Sequence, residues 1–433
     1  MRNYLRRSGY SLDNRMKKIL LIAFKFPPYE GVGGFRWSHL SRELALRGYH
    51  VHVVTVDWES HGPNSLSDLV LHDNIIIHRI PSGGPHNLRQ KQFVGRIRNG
   101  LRNKLFLHFI DRFFFFHDEA QRWKKILIPF CNKLLKREQI HVVVSTGHPF
   151  TANYYASLLR AENPNIMLVL DWRDLWFSDK STNVSSSLRQ QIKLMESYAL
   201  KTADLNVTVT EGCRLTFLGN FPDASISVVC NGFSPQMFLE NNVSSPTILG
   251  SKDCYTFAHI GNVASGREEC LDVFLEYVSR HRNKCKVHMA GSIPSFFFEK
   301  YASLFDEGIV KFLGTLSQKD AIELLKQADT ALHFNAKHVP EAASTKLYEY
   351  AAAHKPVLSI NFGGEPERLI TTYKWGISVN LDFDNADEKI NGFLDGHVDI
   401  CFNDKDILFF AYPQIAERYD MLLTNLSNKL CIR

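Results

Sequence analysis

Thirteen short apolar runs of five to seven residues, rich in Val, Ile and Leu, alternate along this chain with longer stretches of helical period. No other feature constrains the fold as tightly. A parallel strand needs a crossover to return to the same end of its sheet, and a helix is the usual crossover, so the alternation predicts parallel sheets covered by helices. The first series comprises "KILLIAF" (18–24), "HVHVVTV" (50–56), "NIIIHRI" (74–80), "HVVVST" (141–146), "IMLVLD" (166–171), "LNVTVT" (205–210) and "ISVVCN" (226–231). A second series restarts at "YTFAHIG" (255–261) and continues through "KVHMAG" (286–291), "VKFLGT" (310–315), "TALHFN" (330–335), "PVLSIN" (356–361) and "GISVN" (376–380). Between the two lies "FSPQMFLENNVSSPTILGSKD", polar and rich in turn formers, which marks a linker with its boundary near residues 235–253.

The expected fold class is therefore α/β: two Rossmann-like, doubly wound parallel-sheet domains, residues 17–235 and 254–410, whose strand-end crevices face one another across a central cleft. Residues 1–16 read as a basic extension, and 411–433 as a C-terminal helix packing back on the first domain. A length of 433 residues also calls for two domains, since one hydrophobic core stops growing at roughly 250–300 residues.

The eight cysteines, at 131, 213, 230, 254, 270, 285, 401 and 431, form no CxxC pair and no Cys/His cluster at zinc spacing. They read as reduced thiols of a cytoplasmic protein rather than as a disulfide framework or a metal site. The first long apolar run, "ILLIAF" (19–24), is far shorter than a membrane span and is followed by Lys25 with no small-residue cleavage site. Neither a secretion signal nor a spanning helix is expected.

Polar clusters fall beyond the carboxyl ends of several strands, where open α/β sheets bind ligands. The first strand runs into "KFPPYEGVGGF", where Gly31, Gly33 and Gly34 precede a helix and would let a ligand approach its N-terminus. The spacing is not GxGxxG, and a tight turn without a ligand is the competing reading. Arg36, in the first turn of that helix, would meet an anionic group or sit in solvent. "STGHPF" places His148 after the fourth strand, and "LDWRDLW" places Asp171, Arg173 and Asp174 at the end of the fifth. A His and two carboxylates there can hydrogen-bond sugar hydroxyls, act as a base, or oppose developing positive charge.

"EAASTKLYEYAAAHKPVLSI" (341–360) sets Glu341, Lys346 and Glu349 around the start of one helix, with Ser344 or Thr345 as its N-cap. A lysine in the first turn opposes the helix dipole, which makes sense if a phosphate lies at the helix start. Glu349, at i+3, is then placed to accept ribose hydroxyls. The competing reading is a plain Lys–Glu pair worth about 0.2–0.5 kcal/mol.

This stretch resembles the E-x7-E signature of the retaining glycosyltransferases of family 4, which have the GT-B fold, with Glu341 and Glu349 as its two acids. "KILLIAFKFPPYEGVGG", "LDWRDLW", "VTVTEG", "VVCNGF" and "HIGN" resemble other pieces of that family in the same order, over about residues 17–425. The resemblance implies that Glu349 binds the nucleotide ribose and that Glu341 sits beside the donor sugar. It further implies that Lys346 and Arg267 meet the pyrophosphate, with Gly261, Asn262 and Leu347 closing around it and the loop of Gly33 and Gly34 opposite. Asp171, Asp174, His148 and Glu341 are the implied catalytic set, with no metal and no cofactor beyond a UDP- or GDP-linked sugar as substrate. Two positions depart from the family's pattern: Asp171 stands where many members have His, and Asp272 where a Lys is common. Asp382 and Asp384 form a DxD, read here as a solvated turn.

Residues 89–137 are crowded with Lys and Arg, and Phe106, Phe109, Ile110 and Phe113 recur among them at helical spacing. This is the pattern of a helix lying on an anionic membrane surface, although packing of the aromatic face on the first sheet would produce it too. Nucleic-acid binding is not indicated. The expected function is transfer of a sugar to a glycan or polyprenyl-linked acceptor in bacterial surface polysaccharide synthesis, peripheral to the inner membrane face. A nucleotide-sugar epimerase and a non-catalytic nucleotide-sugar-binding protein are the alternatives.

Overall fold

The computed structural model describes residues 17–29, 32–58, 65–84, 118–179, 184–239 and 249–431. All thirteen expected strands form. In the first sheet they are β1 (Lys18–Ala23), β2 (His50–Val56), β3 (Ile75–Ile80), β4 (Val142–Gly147), β5 (Met167–Trp172), β6 (Leu205–Thr208) and β7 (Ile226–Val228). Every pairing is parallel and the order is β3-β2-β1-β4-β5-β6-β7. The second sheet contains β8 (Tyr255–Asn262), β9 (Cys285–Ser292), β10 (Val310–Phe312), β11 (Thr330–Phe334), β12 (Val357–Asn361) and β13 (Gly376–Asn380), again all parallel, in the order β10-β9-β8-β11-β12-β13.

The central strands are apolar without alternation because helices cover both faces of each sheet. Ile19 to Ala23 of β1 are all wholly buried. The main helices are α1 (Val32–Leu46), α2 (Lys124–Glu138), α3 (Thr151–Glu162), α4 (Ser186–Thr202) and α5 (Glu211–Asn220) around the first sheet. Around the second are α6 (Glu268–Arg280), α7 (Gln318–Gln327), α8 (Thr345–Ala352), α9 (Glu365–Tyr373) and α10 (Ala386–Leu394). The fold is α/β with two such parallel sheets, the GT-B architecture.

The C-terminal helix α11 (Tyr412–Cys431) packs on the first domain. Its buried Ile415, Ala416, Tyr419 and Leu423 recur at helical spacing and share one core with Trp37, Leu40 and Leu44 of α1. That core continues through Phe410 into Leu347 and Tyr348 of the second domain. The chain's two passages between domains run side by side. Phe233 and Ala411 form a parallel bridge, with Phe233 N–H donating to Phe410 O at 3.1 Å and Tyr412 N–H to Phe233 O at 3.0 Å. Gly232 is required there, since a Cβ would fall 2.0 Å from Phe410 O.

Residues 89–117 of the basic segment, with Phe106, Phe109, Ile110 and Phe113, lie outside the described residues. In the remainder, α2 buries Leu127, Ile128, Cys131, Leu134 and Leu135 against the first domain and exposes Lys124, Lys125, Lys133, Lys136 and Arg137. The apolar side of this part is thus taken up by the core, and only its basic side faces solvent. Among the described residues no helix is long and apolar enough to cross a membrane.

Candidate functional site

At β1/β4 and at β8/β11 successive crossovers leave to opposite faces of their sheets, which opens a crevice at each strand-end edge. The two crevices share one cleft of about 560 Å³, lined from both domains, a size suited to a small-molecule ligand. A larger groove of about 810 Å³ lies on the outer edge of the second sheet. It is at no switch point, and its Asp384 and Lys389 are already paired at 2.7 Å.

The first domain contributes Lys25 after β1, Gly33 in the first turn of α1, His148 after β4, and Arg173 and Asp174 after β5. α1 begins at Val32, so Gly33 and Gly34 stand inside the helix rather than ahead of it. A Cβ on Gly33 would come within 2.7 Å of Lys25 Cδ, so the missing side chain lets α1 approach that lysine. Gly34 faces Tyr29 and does not line the cleft. His148 Nδ1 lies 3.2 Å from Lys25 Nζ. Arg173 donates to Gly147 O at 2.6 Å and to Gly33 O at 2.8 Å, tying the His148 loop to the glycine turn. Asp174 is open to the cleft, yet protein surrounds it at depth, and its pKa is raised by that desolvation, with Arg173 opposing. A carboxylate with a raised pKa accepts a proton more readily.

The loop carrying Asp174 is held from behind by Glu196 of α4, whose Oε2 accepts from Phe177 N–H at 3.2 Å. Glu196 is 1% exposed, and burial pushes its pKa up to about 8. Folding therefore favours the protonated acid. Its stabilising effect is whole below the unfolded carboxylate value of about 4.3 and is lost as pH rises through the folded value. Glu196→Gln is expected to raise the melting temperature at pH 8 and to leave it unchanged at pH 4.5. The gain is on the order of 3 kcal/mol near neutrality, and melting curves across that pH range check it.

For this wall one expectation is corrected and one is resolved between its two readings. Asp171 does not face a ligand. It is wholly buried, does not line the cleft, and accepts five hydrogen bonds: from Arg36 Nε and Nη2, both at 3.2 Å, Trp37 Nε1 at 2.7 Å, Thr146 Oγ1 at 3.1 Å and Tyr419 OH at 2.6 Å. Burial alone would raise its pKa, but the Arg36 charge and these donors outweigh burial and hold it below the ordinary value. Arg36 is not in solvent either. It is 2% exposed and also donates to Val229 O at 2.8 Å and Cys230 O at 2.6 Å. The pair joins α1, β5, the strand-end loop after β7 and α11; Arg36 itself lines the cleft, and Asp171 holds it from below.

On the second domain's side the lining includes Gly261 and Asn262 at the end of β8, Arg267 before α6, and Ser344, Thr345 and Lys346 at the start of α8. Ser344 is the N-cap, its Oγ accepting from Lys346 N–H at 3.2 Å. Lys346 Nζ is 2.6 Å from Glu349 Oε2. Glu349 is 8% exposed and lies one turn behind the lining, reached through Lys346. Leu347 is wholly buried in the core, so its side chain cannot close around a ligand as expected. Glu341 is also placed differently: it does not line the cleft, and its carbonyl accepts from Thr210 Oγ1 at 2.7 Å, across the domain junction at the start of α5. Asp272 is turned away and paired with Lys300 at 2.6 Å, which leaves Arg267 and Lys346 as the cations on this side of the lining. Asp382 and Asp384 lie in the turn after β13 and pair with Lys337 and Lys389. Among the described residues no group of three or more His, Cys, Asp and Glu is arranged to hold a metal.

Among the lining residues that sequence did not single out are His259, His333 and Tyr412. The first two occupy the carboxyl-terminal halves of β8 and β11, which is the positional signal that could have found them.

The chain superposes on solved structures along nearly its whole length. Sucrose-phosphate synthase from Thermosynechococcus elongatus matches at TM-score 0.63 and 15% identity, covering 95% of this chain and 99% of that one. WaaG, a glycosyltransferase involved in lipopolysaccharide biosynthesis, matches at TM-score 0.54 and 18% identity, covering 95% and 98%. A trehalose-6-phosphate protein from E. coli bound with UDP-2-fluoro glucose matches at TM-score 0.55 and 11% identity, covering 94% and 99%. At these identities the likeness is one of fold. No curated protein matches the sequence significantly. Within the second domain, residues 254–394 match the family model of the group 1 glycosyl transferases.

Proposed function

We propose that this chain is a retaining glycosyltransferase that moves a sugar from a nucleotide-diphosphate sugar to a glycan or lipid-linked acceptor in bacterial surface polysaccharide synthesis. One observation carries the reading: the family-matched domain places a cation-bearing helix N-terminus and Arg267 on one side of a cleft, with Asp174, His148 and Arg173 across from them. Helix N–H groups, Lys346 and Arg267 are suited to a diphosphate. As the bond from the anomeric carbon to the phosphate oxygen breaks, negative charge grows on the diphosphate, and fixed cations lower the barrier most where charge develops. The acceptor hydroxyl then attacks from the face the diphosphate leaves. Asp174 and His148 stand on the acceptor's side, and Glu349, behind Lys346, is the acid for the ribose. Protein cations serve the phosphates in this reading, so no metal or further cofactor is called for. The UDP sugar of the E. coli neighbour and the lipopolysaccharide role of WaaG support a nucleotide-sugar donor and a bacterial glycan acceptor. The exposed lysines of α2 suit an anionic membrane surface at the cytoplasmic face.

Calorimetry with UDP-, GDP- and ADP-glucose tests the reading. Binding to one base class is expected, followed by transfer once an acceptor is supplied. Failure of all three to bind would overturn it, and turnover of the bound sugar nucleotide by epimerisation alone would move the protein to the alternative chemistry.

A further inference from the structure

Two histidines stand at the base of the cleft, at the β8/β11 switch point. In the register of these strands His259 is paired with Leu332, so His333, one residue on, points to the opposite face of the sheet, and the two rings reach the cleft from either side of the strand ends. Both line the cleft, yet they are 5% and 3% exposed. Each ring uses only one nitrogen. His259 Nδ1 is 3.1 Å from Leu332 O and His333 Nδ1 is 2.9 Å from Ser359 Oγ, while both Nε2 atoms are buried without a hydrogen-bond partner. A buried polar atom left unpaired costs about 1–3 kcal/mol, so two on residues that line one cleft call for a reason.

The tautomers follow from the partners. A carbonyl can only accept, so His259 carries its proton on Nδ1 and its Nε2 is a bare acceptor. For His333 the chain is longer. Gly363 N–H donates to Asn361 Oδ1 at 2.7 Å, which fixes the amide's orientation, and Asn361 Nδ2 then donates to Ser359 Oγ at 2.8 Å. No second acceptor lies within reach of the Ser359 hydroxyl among the described residues, so its proton goes to His333 Nδ1, and the His333 proton sits on Nε2. The two rings thus present one acceptor and one donor. Burial first, and then the charges around them, lower the pKa of His259 to about 4 and that of His333 to about 3, so both are neutral at physiological pH.

Direction is shown for His259: a Cβ built on Gly261, a lining residue, would meet its Nε2 at 3.7 Å. A bare lone pair repels phosphate oxygens, and the phosphates have Arg267 and Lys346. Hydroxyls both give and take hydrogen bonds, so those of a sugar nucleotide suit the bare acceptor of His259 and the donor of His333 alike.

Resting on the nucleotide-sugar reading above, we infer that His259 and His333 determine donor specificity by hydrogen-bonding hydroxyls of the sugar nucleotide, His259 Nε2 accepting and His333 Nε2–H donating. The hydroxyls belong either to the ribose or to the transferred sugar.

His259→Asn and His333→Asn keep a polar atom near Nδ1 and delete Nε2, whereas His259→Gln and His333→Gln keep one near Nε2. Calorimetry on the full chain compares the nucleoside diphosphate with its glucose conjugate, for the base that the wild type binds. The Asn variants are expected to lose about tenfold in affinity, with recovery in the Gln variants. Loss with both ligands assigns the contact to the ribose, and loss with the conjugate alone assigns it to the transferred sugar. Wild-type affinity for the conjugate is expected to be flat from pH 5.5 to 8. Affinity that rises in acid and loses this rise in His259→Asn would make the histidines phosphate-binding cations and overturn the inference. Equal binding by wild type and both Asn variants would overturn it too while leaving the nucleotide-sugar reading intact. If the wild type binds no member of the panel, that reading fails and this one falls with it.

Discussion

Asp171→Asn is expected to cripple folding rather than chemistry. The substitution keeps the shape of the side chain but strips the charge from beneath Arg36, a guanidinium that is 2% exposed. Removing one member of a buried ion pair costs about 3–5 kcal/mol, because the remaining charge stays desolvated without its partner. Spread over a protein of this size, that is a fall of about 3–6 °C in melting temperature. Tyr419 and Trp37 lose an ionised acceptor at the same time, and with it part of the bond between α11 and the first domain. Arg36→Met combined with Asp171→Leu removes both charges and is expected to recover most of the loss. Differential scanning calorimetry of the single and double variants decides the matter. A single variant that melts like the wild type but transfers no sugar would restore Asp171 to the reacting centre.

Lys346→Ala is expected to do the reverse, lowering turnover by about 10²–10³-fold with almost no change in melting temperature. Its ion pair with Glu349 is one-third exposed on the lysine side, and a helical pair of that kind contributes about 0.2–0.5 kcal/mol at most. Removing the cation therefore scarcely touches the fold, but under the proposed function it leaves the departing diphosphate without the charge at the helix start. Under the proposed function the acid meets the ribose before and after transfer alike, so Glu349→Ala should instead weaken binding of the nucleoside diphosphate and raise KM more than it lowers kcat. Steady-state kinetics with the donor selected by calorimetry check both variants. Turnover of Lys346→Ala within twofold of wild type would remove the lysine from the phosphate site.

These two variants also mark where the sequence was legible. Buried parallel strands are locally written, as in β1, where "KILLIA" is apolar on both faces because helices cover both. The helix start at Ser344 was legible for the same reason, a cap being a matter of neighbouring residues. The Arg36–Asp171 pair was not, because its partners stand 135 residues apart and Tyr419 lies 248 beyond Asp171. Seen alone, an arginine in a first turn and an acid at a strand end both resemble ligand contacts, and only the return of α11 shows that they meet each other. Glu341 was misplaced for a similar reason: its contact with Thr210 is made by the backbone, which no side-chain pattern announces. Leu347 was carried over from the family motif, although its helical period points it into the core with Tyr350 and Ala351.

The abutting strands at Phe233 and Ala411 carry a mechanical consequence. The two passages lie side by side there, so a rotation of one domain about that bridge would widen or narrow the gap between Arg173 and Lys346, and it would have to strain the Thr210–Glu341 contact as well. Bulk introduced at Gly232 would wedge that bridge apart at Phe410 O and change the interdomain angle.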